Sequence, residues 1–369
     1  MHIVFTIANN SSVPYFNWFA KHASLQKKHT FTFVALCKEK PKMIEDVAIY
    51  GWKCHWIFFD HDSRKRNMVS AFFQAFRLFK KIKPDVVHSH LFDDSVPCLL
   101  AARLASVKIR GIVKADTGFH YHYSPKWMVF DRFNNWNATD IIPPSKESEK
   151  FILEKEKVDK SKTTMIHHGI PSEIFTIQSE ENINMLIKKY ELNNKIVIGT
   201  VSRLIEWKGY KYVIEAAEII IKKYPNSVFL FVGEGKQRKE LEELVNEKKL
   251  NKHIIFTGWM DRAYIPSLYS ILDAYVHAAS FEPFGFVIPE AMMNGAPVVS
   301  TPTGSALDSI QHKENGYIVE YKNSDSLAKG IDYMLINGHL LRKRGQETAL
   351  RMFEFDVMFK NYIKLYENR

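Results

Sequence analysis

The sequence predicts an α/β protein made of two doubly wound domains, each a parallel sheet with helices on both faces. Buried-strand patterns alternate with helical patterns along the chain, and this alternation starts a second time near residue 195. The length of 369 residues agrees, because a single hydrophobic core stops growing at roughly 250–300 residues. Apolar residues make up 46% of the chain and charged residues 25%, which is ordinary for a globular protein and argues against disorder.

In the first half, continuous apolar runs predict buried strands, and apolar residues at helical spacing predict the helices between them. The predicted elements are strand 2–8, helix 13–28, strands 31–36 and 56–59, helix 69–81, strand 85–88, and short apolar runs at 109–113 and 139–142. Pro84 stops the helix before it, because proline lacks the N–H group that a helix interior needs. Strand, helix and strand in this order imply parallel pairing.

The pattern restarts with strand 195–201, a nearly continuous apolar run of the kind that parallel strands show. The elements that follow are helix 209–224, strand 227–232, helix 236–249, strand 253–257, helix 263–270, strand 273–277, helix 287–294 and strand 297–300. We therefore expect an N-terminal domain over 1–175 and a C-terminal domain over 176–350. The helical tail 351–369 is expected to pack on the N-terminal domain.

The formal net charge of +10 admits three kinds of partner: nucleic acid, an anionic membrane surface, or an anionic small molecule such as a nucleoside diphosphate. No block of five or six like charges occurs, which argues against nucleic acid. The three cysteines form no CxxC pair, which favours a reducing compartment. The chain shows no signal-peptide pattern and no apolar stretch of about 18 residues, so we expect a cytoplasmic protein with peripheral contact to the inner face of the membrane.

Two loops after predicted strands carry residues suited to an anionic ligand. Arg203 and Lys208 follow strand 195–201, where open α/β sheets bind ligands, and two cations there can neutralise a diphosphate. The alternative is a pair of solvated surface cations. Gly233 and Gly235 follow strand 227–232 and permit close backbone approach, either to a ligand or to a neighbouring loop; a simple strand-to-helix turn has the same pattern.

The segment 280–299 is the densest motif in the chain. Glu282 precedes a predicted helix and Glu290 lies about one turn inside it. Gly285 permits close approach at the helix start, where the N–H groups of Phe286 and Val287 can face an anion. Glu290 can accept hydrogen bonds from both hydroxyls of a ribose, while Glu282 can bind a sugar or respond to positive charge at its anomeric carbon. The alternative is one capping and one surface carboxylate.

These motifs occur in the order SRLIEWKG, FVGEGKQRKELEEL, FTGWM and SFEPFGFVIPEAMMNGAPVVST, and together they resemble the retaining family 4 glycosyltransferases. The resemblance implies the GT-B fold, in which two Rossmann-like domains face each other across a cleft. It further implies that Arg203 and Lys208 bind the donor diphosphate, that Glu290 holds the ribose and that Glu282 lies by the transferred sugar. Gly233 and the backbone of 285–287 would line the donor site, with Trp259 and Met260 near the base.

The same resemblance implies retention at the anomeric carbon, a nucleoside diphosphate sugar as donor, commonly UDP, and a glycan or lipid-linked acceptor in bacterial surface glycan synthesis. No cofactor and no divalent metal are expected. In the N-terminal half, DVVHSH at 85–90 and IHHGIPSEIF at 166–175 resemble family segments, and Asn10-Ser11-Ser12 stands where a glycine pair is usual. The family often has a histidine near the sugar; His120 in DTGFH is the candidate here, and His122, His88 and His90 compete with it.

Other functions on the same fold stay open at this point. A sugar-nucleotide epimerase or a phosphorylase would use the same nucleotide site, and a non-catalytic nucleotide- or glycan-binding protein would bind without turnover. The aromatic segment 119–136 is either a packed helix with its loop or an acceptor surface that contacts a sugar or a lipid headgroup.

Overall fold

The computed structural model describes residues 1–8, 14–115, 118–174 and 178–369. The loop Asn10-Ser11-Ser12, the pair Asp116-Thr117 and Phe175 lie outside the described residues, as does the side chain of His122. The chain forms two compact units, the first comprising Met1–His167 and Phe355–Arg369 and the second His168–Glu354. Our predicted boundaries followed residues 175 and 350, and the units change over at His168 and Phe355.

The first unit contains a parallel six-stranded sheet. Its strands are β1 (His2–Ala8), β2 (Thr30–Cys37), β3 (Lys53–Phe58), β4 (Val86–Ser89), β5 (Ile109–Val113) and β6 (Asp140–Ile142). Its helices up to residue 167 are α1 (Pro14–Ser24), α2 (Met43–Ala48), α3 (Arg64–Ile82), α4 (Phe92–Leu104), α5 (Phe119–Tyr123), α6 (Met128–Asn137) and α7 (Lys146–Glu154), with short 3₁₀ turns at His61–Ser63, Pro125–Trp127 and Lys160–Lys162.

The strand order of this sheet is β3-β2-β1-β4-β5-β6, so β1 lies between β2 and β4. Residues Ile3 to Ala8 of β1 are all buried because helices cover both faces. The order reverses between β1 and β4, which is the topological switch point of a doubly wound sheet.

The second unit repeats this arrangement with a second parallel six-stranded sheet, ordered β12-β11-β10-β7-β8-β9. Its strands are β7 (Ile196–Val201), β8 (Ser227–Val232), β9 (Ile254–Gly258), β10 (Ala274–His277), β11 (Val298–Ser300) and β12 (Tyr317–Ile318). Its helices are α8 (Glu180–Lys189), α9 (Tyr210–Lys223), α10 (Arg238–Glu247), α11 (Ile265–Ser270), α12 (Val287–Met293), α13 (Ser305–Ser309) and α14 (Ser324–Phe353), with 3₁₀ turns at Ser172–Ile174, Glu206–Lys208 and Arg262–Tyr264.

After α14 the backbone turns extended at Glu354, and the last helix, α15 (Phe355–Glu367), belongs to the first unit. Phe359, Tyr362 and Tyr366 are fully buried on its inner face. The ring of Phe359 lies 5.9 Å from that of Phe31, and Tyr366 hydrogen-bonds His88 through its hydroxyl. Burial of three large aromatic side chains accounts for the attachment of α15 to this core.

The predicted doubly wound α/β class is confirmed for both halves of the chain. Among the described residues, no helix has both the length and the apolar content that crossing a bilayer requires.

Candidate functional site

A pocket of about 610 Å³ opens in the second unit at the carboxyl ends of β7, β8 and β9. Six of the predicted site residues line it: Arg203, Gly233, Trp259, Met260, Val287 and Glu290. Val201, Ser202, Val232, Glu234, Arg262 and Ile265 complete its lining. β7 is the strand at which the order of this sheet reverses, so the pocket lies where doubly wound sheets place their ligands.

Two glycines join the loops that follow β7 and β8. Gly233 adopts a φ of +138°, and a Cβ at this position would lie 2.0 Å from the carbonyl oxygen of Ser202. A Cβ at Gly235 would lie 2.2 Å from the carbonyl oxygen of Leu204. The N–H of Ser202 donates to Val232 at 3.0 Å and that of Leu204 to Glu234 at 2.9 Å. The sequence left open whether these glycines approach a ligand or a neighbouring loop, and the structure shows that both contact the neighbouring loop.

A third close approach places Lys208 beside the segment after β10. Gly209 has a φ of +72°, and a Cβ there would lie 2.2 Å from the carbonyl oxygen of Ala278. Two residues away on each segment, the N–H of Ser280 donates to the carbonyl oxygen of Trp207 at 2.6 Å. This contact brings Lys208, at the end of the 3₁₀ turn, within ion-pair distance of Glu282.

Glu282 is a buried carboxylate with two compensating partners. Its Oε1 forms an ion pair with Lys208 and lies 3.3 Å from Nε2 of His277. Burial alone would raise the pKa of Glu282, but the interaction with His277 and the charge of Lys208 outweigh it and lower the pKa to about 2. Glu282 is therefore ionised throughout the physiological range. Lys208 does not line the pocket and instead pairs with Glu282. Arg203 lies in the pocket that Glu290 also lines.

Glu290 is the opposite case, a buried carboxylate with weak compensation. The guanidinium of Arg262 lies 3.4 Å from one carboxylate oxygen, and the hydroxyl of Tyr269 lies 3.5 Å from the other. Desolvation raises the pKa of Glu290 to about 7, and the two partners lower it only in part. A pocket-lining acid with a pKa so far displaced is typical of a functional site.

The remaining predicted residues of this unit surround the two glutamates. Arg203 is exposed at the pocket, and no side-chain partner is found for it among the described residues. Gly285 has a φ of +77° and packs beside the Glu282 side chain. Phe286 caps α12 and stacks on His168, with 5.1 Å between the ring centroids. Trp259 is 73% exposed, so its ring is available to a ligand.

The three candidate histidines of the first unit lie in different surroundings. His120 lines a small cavity and lies with Nδ1 2.7 Å from a carboxylate oxygen of Asp131. His88 and His90 are buried in the core, where His88 bonds Tyr366 and Nδ1 of His90 lies 3.2 Å from the carbonyl oxygen of Thr6. Burial lowers the pKa of His90 to about 3, so this ring stays neutral. Both have structural roles, which leaves His120 as the candidate among these three.

Sequence reasoning missed three residues that shape the site, namely Arg262, Tyr269 and His277. Arg262 lies three positions after Trp259 in a loop already predicted to line the site, so it could have been included. Tyr269 and His277 are buried, and their contacts with the glutamates arise only from tertiary packing. No group of three or more His, Cys, Asp or Glu side chains placed to hold a metal ion is found within the described part of the chain.

Two doubly wound sheets of identical strand order, one with a ligand pocket at its switch point, define a GT-B protein. The crystal structure of Anabaena HepE in complex with UDP and glucose has this fold, with a TM-score of 0.82, 19% identity and coverage of 100% of both chains. Residues 182–351 match the glycosyl transferases group 1 family, and residues 22–174 match glycosyltransferase family 4. The chain belongs to the family 4 glycosyltransferases and is a transferase enzyme, as the sequence predicted.

Curated bacterial relatives include two named glycosyltransferases. The UDP-Gal:alpha-D-GlcNAc-diphosphoundecaprenol alpha-1,3-galactosyltransferase of Escherichia coli is 26% identical over 282 residues, which cover 71% of this chain and 69% of that protein. The capsular polysaccharide biosynthesis glycosyltransferase CapM of Staphylococcus aureus is 26% identical over 306 residues and covers 78% of each chain.

Glu290 makes the stability of the protein depend on pH in a defined direction. Its pKa is about 7 in the folded chain against 4.5 for an ordinary glutamate, so the folded state holds this proton more tightly. The stabilisation is complete below pH 4.5 and is lost as the pH rises through 7. We expect Glu290→Gln to raise the free energy of unfolding at pH 8.5 by up to about 3 kcal/mol and to change it little at pH 5, as measured by urea denaturation.

Glu243→Gln, an exposed position of the same unit, is the control and should change stability little at either pH. A Glu290→Gln variant that is less stable than the parent at pH 8.5 would show that the charged carboxylate does not destabilise the folded protein.

Proposed function

We propose that this enzyme transfers a sugar from a nucleoside diphosphate sugar, with UDP as the nucleotide, to an acceptor hydroxyl with retention at the anomeric carbon. We further propose a role in bacterial surface glycan synthesis. One observation carries the proposal: a single pocket is lined by the exposed guanidinium of Arg203, the exposed ring of Trp259 and the largely buried carboxylate of Glu290. A diphosphate requires a cation, a base requires a flat surface for stacking, and a ribose requires a carboxylate that accepts hydrogen bonds from its hydroxyls.

In this assignment Trp259 and Met260 lie against the base and Glu290 accepts hydrogen bonds from both ribose hydroxyls. The ionised carboxylate is acceptor-only, so it can receive both hydroxyl protons. Ribose binding would supply the hydrogen bonds that Arg262 and Tyr269 provide only at 3.4 and 3.5 Å. The bound nucleotide would thus relieve the burial penalty of Glu290.

The reaction itself is assigned to the neighbouring groups. The bond between the anomeric carbon and the diphosphate breaks, and its electron pair leaves with the diphosphate. Arg203 and Lys208 would stabilise the negative charge that develops there, with the backbone of Gly233, Gly285, Phe286 and Val287 closing around the donor. These cations would perform the charge neutralisation that other transferases assign to a divalent metal, so we propose a metal-independent reaction.

Glu282 would bind the transferred sugar and face the positive charge that grows at its anomeric carbon. Its pKa of about 2 keeps it ionised throughout the physiological pH range. The reaction requires no carboxylate nucleophile if the acceptor attacks the anomeric carbon on the face that the diphosphate leaves. A bond then forms between the acceptor oxygen and the anomeric carbon, and the acceptor proton passes to an oxygen of the departing phosphate.

Arg203→Ala and Lys208→Ala are each expected to lower turnover by at least about tenfold, because each removes a preorganised charge from the leaving group. Arg203 is exposed, so its variant should melt at the parental temperature; Lys208→Ala leaves the buried Glu282 without its ion-pair partner and should melt lower. Initial rates with UDP-glucose, UDP-galactose and UDP-N-acetylglucosamine measure turnover, and the same rates in EDTA test metal independence. Thermal denaturation measures the melting temperatures.

Lys211→Ala is the matched control, since Lys211 is an exposed cation on α9 outside the pocket. Full activity of both site variants would refute the diphosphate assignment, and loss of activity in EDTA would refute metal independence.

Donor affinity should increase as the pH rises through about 7, because only ionised Glu290 accepts from both ribose hydroxyls. A carboxylate with this pKa is about one-tenth ionised at pH 6 and mostly ionised at pH 8, so we expect roughly tenfold tighter binding of UDP-glucose at pH 8. This ligand is chosen because its diphosphate diester does not titrate near pH 7. Isothermal titration of the parent and of Glu290→Gln measures the effect, and a slope that persists in the variant would exclude Glu290 as its origin.

For the acceptor we propose a lipid-linked glycan at an anionic membrane, reached through one helical layer of the first unit. Helices α3, α4 and α6 pack side by side over the same hydrophobic cluster. Their exposed apolar residues are Val69, Phe73, Leu104, Val129 and Trp136. Their cations are Arg64, Lys65, Arg66, Arg77, Lys80, Lys81, Arg103 and Arg132, while all their carboxylates, Asp93, Asp94 and Asp131, are buried. Arg64 pairs with Asp93, and a surface that joins exposed aromatic rings to the other cations complements an anionic bilayer.

The variant Arg77→Glu/Lys80→Glu should bind vesicles that contain phosphatidylglycerol at least about tenfold more weakly than the parent, because each cation near an anionic surface contributes about 1 kcal/mol. Co-sedimentation with such vesicles measures this, and Lys343→Glu/Arg344→Glu on α14 is the control of equal charge change. Equal binding of both variants would refute this surface.

A further inference from the structure

A buried charged cluster lies beyond the carboxyl end of β5. Lys114 is 2% exposed, and its ammonium lies 3.4 Å from Asp131 and 2.9 Å from Glu156. The amide of Asn135 also donates to Glu156 at 2.7 Å. Taking these charges out of water costs free energy that pairing repays only in part, and packed apolar side chains would serve stability as well. The cluster therefore calls for an explanation other than stability.

His120 is bound to this cluster through one ring nitrogen. Its Nδ1 lies 2.7 Å from Oδ2 of Asp131, and the Phe92 ring packs edge-on against the imidazole with 4.4 Å between centroids. Within the described part of the chain, Nε2 has no hydrogen-bond partner. The ring is thus oriented from one side, and its second nitrogen remains for a ligand.

Asp131 is ionised in this setting. Burial raises its pKa, but the hydrogen bond with His120 and the charge of Lys114 outweigh burial and lower it below the usual range. An ionised carboxylate can only accept hydrogen bonds, so the proton of a neutral His120 belongs on Nδ1. Nε2 then carries a lone pair.

We infer that Asp131 is a positioning residue that fixes His120 with its proton on Nδ1, so that Nε2 accepts a hydrogen bond from a sugar hydroxyl. Lys114 holds Asp131 in place from its other oxygen. The part of this inference that concerns the sugar rests on the proposed transferase function. The tautomer itself does not depend on that function.

The tautomer is measured by two-bond ¹H–¹⁵N correlation spectra of protein labelled with ¹⁵N-histidine at pH 8.5, where His120 is assigned by comparison with His120→Ala. We expect the Nδ1–H form in the parent. In Asp131→Asn the carboxamide NH₂ can donate to Nδ1, and the Nε2–H form should appear. A parent ring found as the Nε2–H form or as imidazolium overturns the inference, and this spectrum is informative even if Asp131→Asn fails to fold.

Kinetics then test whether Asp131 acts through His120. Asp131→Asn should lower kcat about 10–100-fold with little change in the KM of the donor, a range we take from carboxylates that orient metal-binding histidines. In the His120→Ala background the same substitution should cause no further loss, because residues that act as one unit are not additive. A further loss of kcat in that background overturns the inference.

Asp140→Asn is the control, since Asp140 is a buried carboxylate of the same unit that pairs with Arg369 at 2.8 Å and does not contact His120. It should leave both the tautomer and kcat unchanged. Full activity of Arg203→Ala and Lys208→Ala would refute the transferase assignment while leaving the tautomer result standing. Unchanged kcat in His120→Ala, with Arg203→Ala impaired, would refute the role of His120 alone.

Discussion

The site depends on how two carboxylates are compensated, that of buried Glu282 before α12 and that of largely buried Glu290 within it. Glu282 has an ammonium and an imidazole within contact distance, so its charge is balanced before any ligand arrives. Glu290 has only a long contact to Arg262 and another to Tyr269, and its charge stays unfavourable in the empty protein. The first carboxylate is a fixed negative charge, whereas the second gains most when hydrogen-bond donors enter the pocket. The difference in pKa, about 2 against about 7, expresses these two surroundings.

This compensation is possible because close backbone contacts hold the loops together. The carbonyl oxygens of Ser202, Leu204 and Ala278 approach glycines so closely that no Cβ would fit. Each loop is thereby fixed by main-chain packing and hydrogen bonds, which leaves the Arg203 guanidinium at the pocket and sets Lys208 against Glu282. The glycine pattern in the sequence thus records a contact between neighbouring loops, and the ligand-binding side chains follow from it.

Most of the fold could be predicted because parallel strands buried on both faces appear in the sequence as continuous apolar runs, as β7 and β8 do. Helix α4 could not, since nearly all its residues are buried and Pro97 lies inside it, so no amphipathic period marks it. The two-residue β12 is too short for any pattern. In the site, the motif spacing predicted Glu282 and Glu290, whereas His277, Tyr269 and Asp131 become partners only when distant segments pack together.

Two strand ends, that of β7 in the second unit and that of β5 in the first, serve opposite electrostatic purposes. In the second unit, the end of β7 leads to an exposed guanidinium without a side-chain partner in the described structure, which suits a dianionic group. In the first unit, the end of β5 leads to Lys114, whose charge is offset by the carboxylates of Asp131 and Glu156. Among the described atoms of this cluster, Nε2 of His120 is the one that we propose for a ligand. A neutral acceptor suits a sugar hydroxyl and gives a diphosphate no attraction. The charge balance around each strand end therefore favours a charged group at the end of β7 and an uncharged group at the end of β5, which the fold alone would not determine.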